Sequence, residues 1–268
     1  MIALPGGFRP RKGLDQYFLR DEFILEREVY LADIKPTDVV LEIGAGNGSL
    51  TRLISEKARK VIAVEKDPIL AGFLRDSLHG RVEVIKGDAL EMDFPSFDKA
   101  MGNLPYSVSS PLIFKLLEHD FILGVFCLQY EFAEKMTSSP GSRNYSRLSV
   151  MISLRTSMTV LSMTVPRESF WPEPGVDSAI VKLAPEKNPG LDSLSSEVIR
   201  MIFTHRRKTL RNAVRDSDGQ LEELLGFGQD SVLEGVKTDY GVRVFEMSPP
   251  DVLAFARSVV DLARENPD

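Results

Sequence analysis

The chain has 268 residues, of which 43% are hydrophobic, and it carries a formal net charge of −6 with one cysteine. This length and apolar content suffice for a full α/β core plus a smaller second domain. The lone cysteine excludes an internal disulfide. With no run of about 18 apolar residues, we expect no membrane span. We expect a monomer in the reducing cytoplasm.

The first part of the chain, residues 1–185, predicts an α/β domain that begins with a basic arm. The basic residues of this arm are Arg9, Arg11, Lys12 and Arg20. Buried-strand patterns then alternate with helical patterns. Strands are predicted at 39–43, 61–65, 82–85, 99–102 and 123–128, and helices at 22–31, 50–57, 68–78 and 111–118. This alternation indicates a Rossmann-like, mostly parallel sheet. Two further strand-like runs, 156–165 and 178–184, indicate an antiparallel end.

The second part, residues 191–268, predicts a small helical domain. Residues 185–190 hold two prolines and a glycine, which is typical of a linker. The last predicted helix starts with Pro249 in its first turn, where Ser248 can cap it. Its apolar residues are Val252, Phe255, Val259 and Leu262.

The acidic average conceals a basic block at residues 200–215. This block holds six basic residues and no acidic one, whereas twelve acidic and four basic residues follow from Asp216 onward. On one continuous helix, basic residues four positions apart form a single face that can follow a phosphate backbone. The residues predicted to bind RNA are Arg207, Lys208, Arg211 and Arg215. A solvated face, or one paired with the acidic tail, is the alternative interpretation.

Glycines follow the first predicted strand at alternate positions, among them Gly44 and Gly46, so a ligand can approach the main chain closely. Glu65 ends the second strand, where a carboxylate can accept hydrogen bonds from two ribose hydroxyls. Asp88 follows the third strand, where it can accept one from an adenine edge. Parallel strands end at one edge of a sheet, so these residues predict a nucleoside cofactor. The GxGxG spacing favours S-adenosylmethionine, and NAD remains the alternative.

The fourth predicted strand ends in Asn103-Leu104-Pro105-Tyr106, which favours chemistry on an adenine amino group. The lone pair of adenine N6 is delocalised into the ring, so an enzyme must draw the amino group toward a tetrahedral geometry. The Asn103 side-chain oxygen and the Leu104 carbonyl can accept its hydrogens, and Pro105 restricts Leu104. Tyr106 offers a ring on which an extruded base can lie. An ordinary Asn-x-Pro turn is the competing interpretation.

Neither a general base nor a metal is expected. A sulfonium leaving group is already activated and the amino proton can pass to solvent, so rate would come from orientation and positioned dipoles. The histidines, His79, His119 and His205, are scattered along the chain, which is not typical of a metal site.

With these motifs in view, the sequence resembles the KsgA family of ribosomal RNA adenine dimethyltransferases, in particular its archaeal and eukaryotic branch. The resemblance covers most of the chain and rests on residues 14–21, 42–46, 64–65, 87–89, 103–106 and 170–179. It implies a class I methyltransferase fold and S-adenosylmethionine as methyl donor. It also implies the N6,N6-dimethylation of two adjacent adenosines in the 3′-terminal hairpin loop of small-subunit ribosomal RNA, during subunit assembly.

The resemblance implies roles for individual residues as well. The residues that would line the cofactor site are Tyr17, Leu19, Gly44, Glu65, Asp88 and Asn103. The rings of Tyr106 and Phe170 would hold the target adenine between them. Two positions depart from the family pattern: Asp15 stands where Gly is usual, and Tyr17 where Asn or His is usual. A main-chain contact at Tyr17 would survive that change, whereas a side-chain contact would not.

Three alternatives remain beside a dimethyltransferase that acts on small-subunit ribosomal RNA or a pre-small-subunit particle. A large-subunit ribosomal RNA adenine methylase shares the catalytic core. A catalytically silent RNA-binding assembly or transcription factor would keep the fold. A DNA adenine methylase is disfavoured, because the region from Leu191 leaves little room for a target-recognition domain.

Overall fold

A computed structural model describes residues 6–265, without the side chain of Lys12. The chain divides into two compact units. The first runs to Ala133 and resumes at Met158–Pro185, and the second comprises Glu134–Ser157 and the residues from Glu186 onward. The sequence placed residues 134–157 in the first domain, so the division in the structure differs there. Residues 1–5 and 266–268 of the two predicted domains lie outside the described residues.

Nine strands form in the described chain. In chain order they are β1 (Phe18–Leu19), β2 (Val39–Ile43), β3 (Lys60–Glu65), β4 (Val82–Lys86), β5 (Lys99–Asn103), β6 (Leu123–Gln129), β7 (Thr156–Val165), β8 (Phe170–Trp171) and β9 (Ser178–Pro185). Seven of them form one sheet in the order β4-β3-β2-β5-β6-β9-β7. The strands from β4 to β6 are parallel, and β9 runs antiparallel to β6. The predicted Rossmann-like sheet with an antiparallel end is confirmed.

Five helices of the described chain begin in the first unit, and the last of them, α5, ends in the second. They are α1 (Glu22–Ala32), α2 (Ser49–Ser55), α3 (Pro68–Ser77), α4 (Ser109–Leu116) and α5 (Tyr130–Met136). Side-chain caps explain where two of them begin. The Asp21 carboxylate accepts hydrogen bonds from the first turn of α1, and the Asp67 carboxylate accepts one from Ile69 at the start of α3. Such caps satisfy main-chain donors that a helix leaves free at its first turn.

Apolar side chains of α1 and α2 pack on the sheet and form a core cluster. Its members include Ile24, Leu25, Val29, Leu50, Ile54, Val40, Val61, Met101 and Val125. Burying one such side chain contributes about 1.5–3 kcal/mol. The cluster also includes Leu19 of β1 and Phe170 of β8, which face each other in a separate two-stranded sheet. This small sheet anchors the end of the basic arm.

The second unit is helical. Its helices are α6 (Arg147–Arg155), α7 (Ser193–Thr204), α8 (Leu210–Asp216), α9 (Asp218–Leu225), α10 (Gln229–Gly235) and α11 (Pro249–Glu265). Val252, Phe255 and Val259 of α11 are buried, as their spacing predicts. The Ser248 hydroxyl accepts a hydrogen bond from the Asp251 main chain at 3.3 Å, which confirms the predicted cap. Helices α5 and α6 were not predicted.

Candidate active site

The carboxyl ends of the parallel strands open into one cleft of about 1160 Å³, counting its open mouth. The cleft is lined by every residue that the sequence assigned to the cofactor: Tyr17, Leu19, Gly44, Gly46, Glu65, Asp88 and Asn103. Pro105 also lines it. Topology explains this convergence, because β2, β3, β4 and β5 are parallel neighbours whose ends meet at the same edge.

The glycine loop after β2 forms one wall of the cleft. Gly44 and Gly46 have φ angles of 75° and 59°, in the left-handed region that favours glycine. A Cβ atom on Gly46 would lie 3.3 Å from the Phe18 ring. The Gly44 and Ala45 main-chain nitrogens both donate to the Val64 carbonyl, at 2.9 and 3.2 Å. These contacts hold the loop close to β3.

Glu65 is held from both sides at the end of β3. Its side chain is buried, one oxygen accepts from the Gly46 nitrogen at 2.8 Å, and the other accepts from the Asp67 nitrogen at 2.7 Å. Burial raises the pKa of Glu65, while these two main-chain donors oppose that rise. Each carboxylate oxygen can accept a further hydrogen bond. The side chain is therefore positioned to receive a pair of ligand hydroxyls.

Asp88 follows β4 and keeps its charge. Its side-chain oxygens accept from the Lys66 ammonium at 2.6 Å and from the Leu90 nitrogen at 3.0 Å. These hydrogen bonds, that of Lys66 first, lower the pKa of Asp88. The sequence predicted Asp88 but not Lys66, although Lys66 directly follows Glu65 and lines the same cleft. An ionised Asp88 can accept a hydrogen bond from an adenine amino group.

Asn103 ends β5 and carries an unpaired acceptor. Its side-chain oxygen is buried and has no hydrogen-bond partner among the described residues. An unsatisfied buried polar atom costs about 1–3 kcal/mol, and in native proteins such an atom calls for a specific explanation. Gly102 allows β5 to lie this close to β2, because a Cβ atom there would be 2.3 Å from the Ile43 carbonyl oxygen. A hydrogen-bond donor from a substrate would satisfy the Asn103 oxygen.

The residues after Asn103 form a tightly bonded turn. The Leu104 nitrogen donates to the Cys127 carbonyl at 3.1 Å, and the Pro105 carbonyl accepts from the Ser109 hydroxyl at 2.9 Å. Tyr106 begins a short 3₁₀ helix, and its hydroxyl lies 2.6 Å from that of Ser178. Burial raises the pKa of Tyr106 to about 12, so the phenol stays neutral at physiological pH. The Tyr106 ring is therefore fixed in place.

The expected pairing of Tyr106 with Phe170 is not seen. Phe170 is only 6% exposed, belongs to the core cluster and does not line the cleft. Its register opposite Leu19 turns the side chain into the core beneath the small sheet. The ring stacked on Tyr106 is that of Tyr17, with centroids 5.5 Å apart and planes inclined by 25°.

The arm is attached to the cleft by contacts that the sequence analysis missed. The Asp15 carboxylate accepts from the Ser107 nitrogen at 2.8 Å. The Gln16 amide donates to the Asp67 carboxylate, also at 2.8 Å. Both arm residues lie in segment 14–21, one of the segments on which the family resemblance rests. That resemblance was the sequence signal that could have pointed to these contacts.

In the second unit, Arg207, Arg211 and Arg215 do not lie on one continuous helix, so the condition for a single basic face is not met. Helix α7 ends at Thr204 and α8 begins at Leu210, so Arg207 lies in the connection. The main chain there bonds to the segment 240–245 instead of continuing a helix: Leu210 donates to Val242, and Val244 donates to Lys208. All four predicted RNA-binding side chains are nevertheless exposed.

The four basic side chains differ in their partners. Lys208 forms an ion pair with Asp216, as the alternative of pairing with the acidic tail predicted. Arg211 lies over the Tyr240 ring at 5.4 Å from its centroid. Arg211 and Arg215 are four residues apart on α8 and share a face. On α8 the basic face therefore consists of these two arginines, and Arg207 lies in the connection before the helix.

Among residues 6–265, none of the helices combines the length and the apolar composition that a bilayer span requires. In the same range, no three His, Cys, Asp or Glu side chains come together as a metal site.

Comparison with known proteins places these features in a family. The sequence model described as ribosomal RNA adenine dimethylase matches residues 7–246. A probable ribosomal RNA small subunit methyltransferase A from Methanosarcina mazei is 40% identical over 94% of both chains. A dimethyladenosine transferase structure from Plasmodium falciparum is 32% identical, with a TM-score of 0.78 over 89% of this chain and 95% of that one. The structure of the 23S rRNA methyltransferase ErmE is 28% identical, with a TM-score of 0.67 over 91% and 99%.

The match covers both the cofactor cleft and the turn after Asn103, and it includes most of the second unit. The Rossmann-like class I methyltransferase fold is shared with the solved structures. The chain therefore belongs to the ribosomal RNA adenine dimethylase family and is an S-adenosylmethionine-dependent methyltransferase of ribosomal RNA adenine.

Proposed function

We propose that the substrate is a pair of adjacent adenosines in the 3′-terminal hairpin loop of small-subunit ribosomal RNA, each converted to N6,N6-dimethyladenosine in a pre-small-subunit particle. The observation that carries the chemistry is the buried, unpaired side-chain oxygen of Asn103 beside the cofactor cleft. The names of the 40% identical relatives support the choice of the small subunit. A single-stranded loop suits the reaction, because unpaired bases cost little to extrude.

The residues of the cleft fit S-adenosylmethionine. Glu65 is placed to hold the ribose hydroxyls, Asp88 to hold the adenine amino group, and the glycine loop at Gly44 and Gly46 to approach the rest of the cofactor. When bound, the cofactor supplies a methyl group that a sulfonium centre has already activated. The chain must then position the acceptor nitrogen, and positioning contributes much of the rate in such reactions.

The turn formed by residues 103–106 supplies that positioning. The Asn103 oxygen and the Leu104 carbonyl accept the two N6 hydrogens and draw the nitrogen lone pair out of the ring. These interactions strengthen as the nitrogen becomes tetrahedral, so they favour the transition state over the ground state. The Tyr106 ring carries the base, and its fixed hydroxyl prevents the ring from turning away. Once nitrogen is alkylated, its proton passes to water.

Exposed arginines of the second unit are proposed to grip the RNA backbone. Arg211 and Arg215 lie on one face of α8, and Arg207 is exposed in the preceding connection. Guanidinium groups bind phosphate well because their donors are planar and permanently charged. We also propose that the enzyme acts as a monomer in the cytoplasm, where its ribosomal substrate is assembled. Light scattering checks whether the enzyme is a monomer.

The likeness to ErmE keeps a large-subunit target as the second candidate. A relative whose printed name specifies the small subunit is 40% identical to this chain, whereas ErmE is 28% identical, and this difference favours the small subunit. A silent assembly factor is disfavoured, because every residue proposed for cofactor binding lines the cleft.

Mass spectrometry of ribosomal RNA nucleosides tests the proposal. Small subunits that lack the modification, and large subunits as the comparison, are incubated with protein and cofactor. We expect N6,N6-dimethyladenosine in small-subunit RNA, within a fragment from its 3′ end, and much slower formation of this nucleoside with Asn103→Ala. Dimethyladenosine confined to large-subunit RNA would contradict the proposed substrate, and no methylation of either subunit would favour the silent factor.

A further inference from the structure

A second groove lies next to the turn formed by residues 103–106, on the side of β6 and β9. Its walls come from the end of β6, the connection after β7 and the residues before β9, and they include Gln129, Tyr130 and Val176. Among the described residues it shares no lining residue with the cofactor cleft. Its volume is about 1320 Å³, counting its open mouth. Clefts of about 300–1000 Å³ hold drug-sized ligands, so a nucleoside fits.

Strand register places this groove one step beyond the catalytic turn. Asn103 pairs with Cys127 of β6, and Gln129 lies two residues further along that strand, opposite Ser178 of β9. Two strand residues advance about 6.6 Å. The Ser178 hydroxyl also lies 2.6 Å from that of Tyr106. A nucleotide adjacent to a base on the Tyr106 ring therefore reaches the groove.

Main-chain and side-chain contacts hold the walls of the groove together. The Tyr130 nitrogen donates to the Asp177 carbonyl at 3.0 Å, and the Arg167 nitrogen donates to the Asp177 carboxylate at 3.1 Å. The Arg167 guanidinium contacts the Glu173 carboxylate at 3.0 Å. These contacts join all three wall segments, so the groove is formed before any ligand enters it.

The surface of the groove suits a nucleobase. The side chains of Tyr130 and Val176 are 36% and 44% exposed. The Gln129 side-chain amide has no protein hydrogen-bond partner within residues 6–265. Such an amide can accept a hydrogen bond from adenine N6 while it donates one to N7. An exposed tyrosine ring can stack on the same base.

The charges in the groove favour a base over a phosphate. Three lining residues carry carboxylates, Glu131, Glu168 and Asp177, and one carries a positive charge, Arg167. Binding a phosphate backbone needs concentrated positive charge. An uncharged base meets no such repulsion. A nucleotide at this position therefore places its base in the groove and leaves its phosphates outside.

We propose that this groove binds the adenosine adjacent to the target in the RNA strand. Its base stacks on Tyr130, and its N6 and N7 atoms form hydrogen bonds with the Gln129 amide. This inference rests on the proposed function, because it requires a pair of adjacent adenosines. The groove lies on one side of the catalytic turn, so it holds the neighbour of only one of the two adenosines. Gln129 thereby selects a pair of adenosines over a single one.

A double-mutant cycle between enzyme and RNA tests the contact. Small subunits are reconstituted with RNA in which one adenosine of the pair is replaced by purine riboside, which lacks the N6 amino group. A second preparation carries the replacement at the other adenosine. The value of kcat/KM for the remaining adenosine is measured with wild type and Gln129→Ala. Glu131→Gln is the matched control in the same groove, and calorimetry with S-adenosylmethionine reports folding.

For the wild type, we expect the replacement on one side of the target to lower kcat/KM on the order of 5- to 150-fold, the range of one bidentate base contact. Gln129→Ala should lose as much on the natural pair and lose no more when the neighbour is replaced. Glu131→Gln should stay within a few fold of the wild type, and so should the cofactor affinity of both variants. Tyr130→Leu, compared in the same way against an abasic neighbour, tests the stack independently of Gln129.

The outcomes separate this inference from the proposed reaction. Additive losses in both cycles, or natural-pair kinetics unchanged in Gln129→Ala and Tyr130→Leu, would overturn the subsite and leave the reaction intact. A loss that parallels weakened cofactor binding would overturn it as well. A wild type that does not dimethylate unmodified small subunits would overturn both the proposed function and the subsite.

Discussion

The cofactor cleft and the basic block were both predicted from short sequence patterns, but the structure treats them differently. In the cleft, every predicted cofactor residue lines one cavity, although residues 17 and 103 are far apart in sequence. In the basic block, residues only eight positions apart are divided between a connection and a short helix. Strand pairing was the better guide to a shared site than helical periodicity.

The difference lies in what fixes each residue. Residues of the cleft stand at the ends of parallel strands, and strand pairing dictates that neighbouring ends meet at one edge. The basic block depends on helical periodicity, which a competing main-chain interaction can interrupt. Here the segment 240–245 takes the hydrogen bonds of residues 206–210. We therefore expect single substitutions to have large effects in the cleft and graded, salt-dependent effects in the basic block.

The largest effect is expected from Asn103→Ala. Removing one positioned hydrogen-bond group from a catalytic site typically lowers kcat about 10²- to 10³-fold. RNA affinity should change little, because the proposed interaction strengthens only as N6 becomes tetrahedral. Single-turnover methylation measures the effect, and Asn103→Asp, which keeps an acceptor oxygen, is the matched control. Normal single-turnover rates in Asn103→Ala would remove Asn103 from the mechanism and weaken the contrast between the two regions.

Glu65→Ala should weaken cofactor binding by about 1.5–3 kcal/mol, the usual cost of lost hydrogen bonds to a charged group. The substitution also removes the acceptor for two main-chain donors, the nitrogens of Gly46 and Asp67. Titration calorimetry with S-adenosylmethionine measures it. Glu65→Gln keeps one acceptor oxygen and should lose less. Unchanged affinity in Glu65→Ala would show that the ribose is held elsewhere.

A pH-dependent effect is expected at Glu42, which lies on β2 beneath the glycine loop and is 1% exposed. Burial raises the pKa of Glu42 to about 8. A raised carboxyl pKa favours the folded state at low pH, and this contribution is lost as pH rises from about 4.5 to 8. Glu42→Gln should remove this loss, so its stability relative to wild type should rise by on the order of 3 kcal/mol between pH 5 and 7.5, at about 1.4 kcal/mol per pH unit.

Urea unfolding at the two pH values checks this prediction. The pH dependence of stability is also measured for Glu28→Gln. Glu28 is buried as well, and burial raises its pKa well above the ordinary value. A stability difference between Glu42→Gln and wild type that does not change with pH would mean that Glu42 is ionised in the folded protein.

The smallest effects are expected in the basic block. Replacing Arg211 and Arg215 with Gln should reduce the slope of log RNA affinity against log salt by about 1.4, at about 0.7 per single-strand phosphate contact. Adding Arg207→Gln should bring the reduction to about 2. Lys208→Gln is the matched control and should have a smaller effect, since Lys208 is paired with Asp216. Parallel lines for wild type and the arginine variants would refute the RNA contact.

Most of the fold could be predicted because its strands are apolar runs of ordinary length. Strand β2 was predicted with its observed ends, and its five residues are all buried. Helices α5 and α6 were missed, since α5 follows β6 directly and α6 leads directly into β7, with no turn between helix and strand in either case. The division of the chain was missed for a related reason: residues 134–157 join the second unit through tertiary contacts that periodicity does not encode.

The candidate site was predictable in its acids and glycines but not in its aromatic contacts. Glu65 and Asp88 follow directly from strand ends. The burial of Phe170 depends on the pairing of β1 with β8, two strands of two residues each, which no local pattern reveals. The partner of Tyr106 could not be named for the same reason, because side-chain stacking depends on the path of the arm across the cleft.

Gly102 has a consequence for how this enzyme can evolve. Its missing side chain lets the Ile43 carbonyl and β5 approach each other, and the glycine loop and Asn103 are the next residues along those two strands. The absence of a Cβ atom at Gly102 therefore sets the distance between methyl donor and methyl acceptor. A Cβ atom at position 102 would push the two strands apart and lengthen the distance between methyl donor and methyl acceptor. A misplacement of about 1 Å can cost on the order of 10²-fold in rate. This spacing tolerates no residue larger than glycine at position 102.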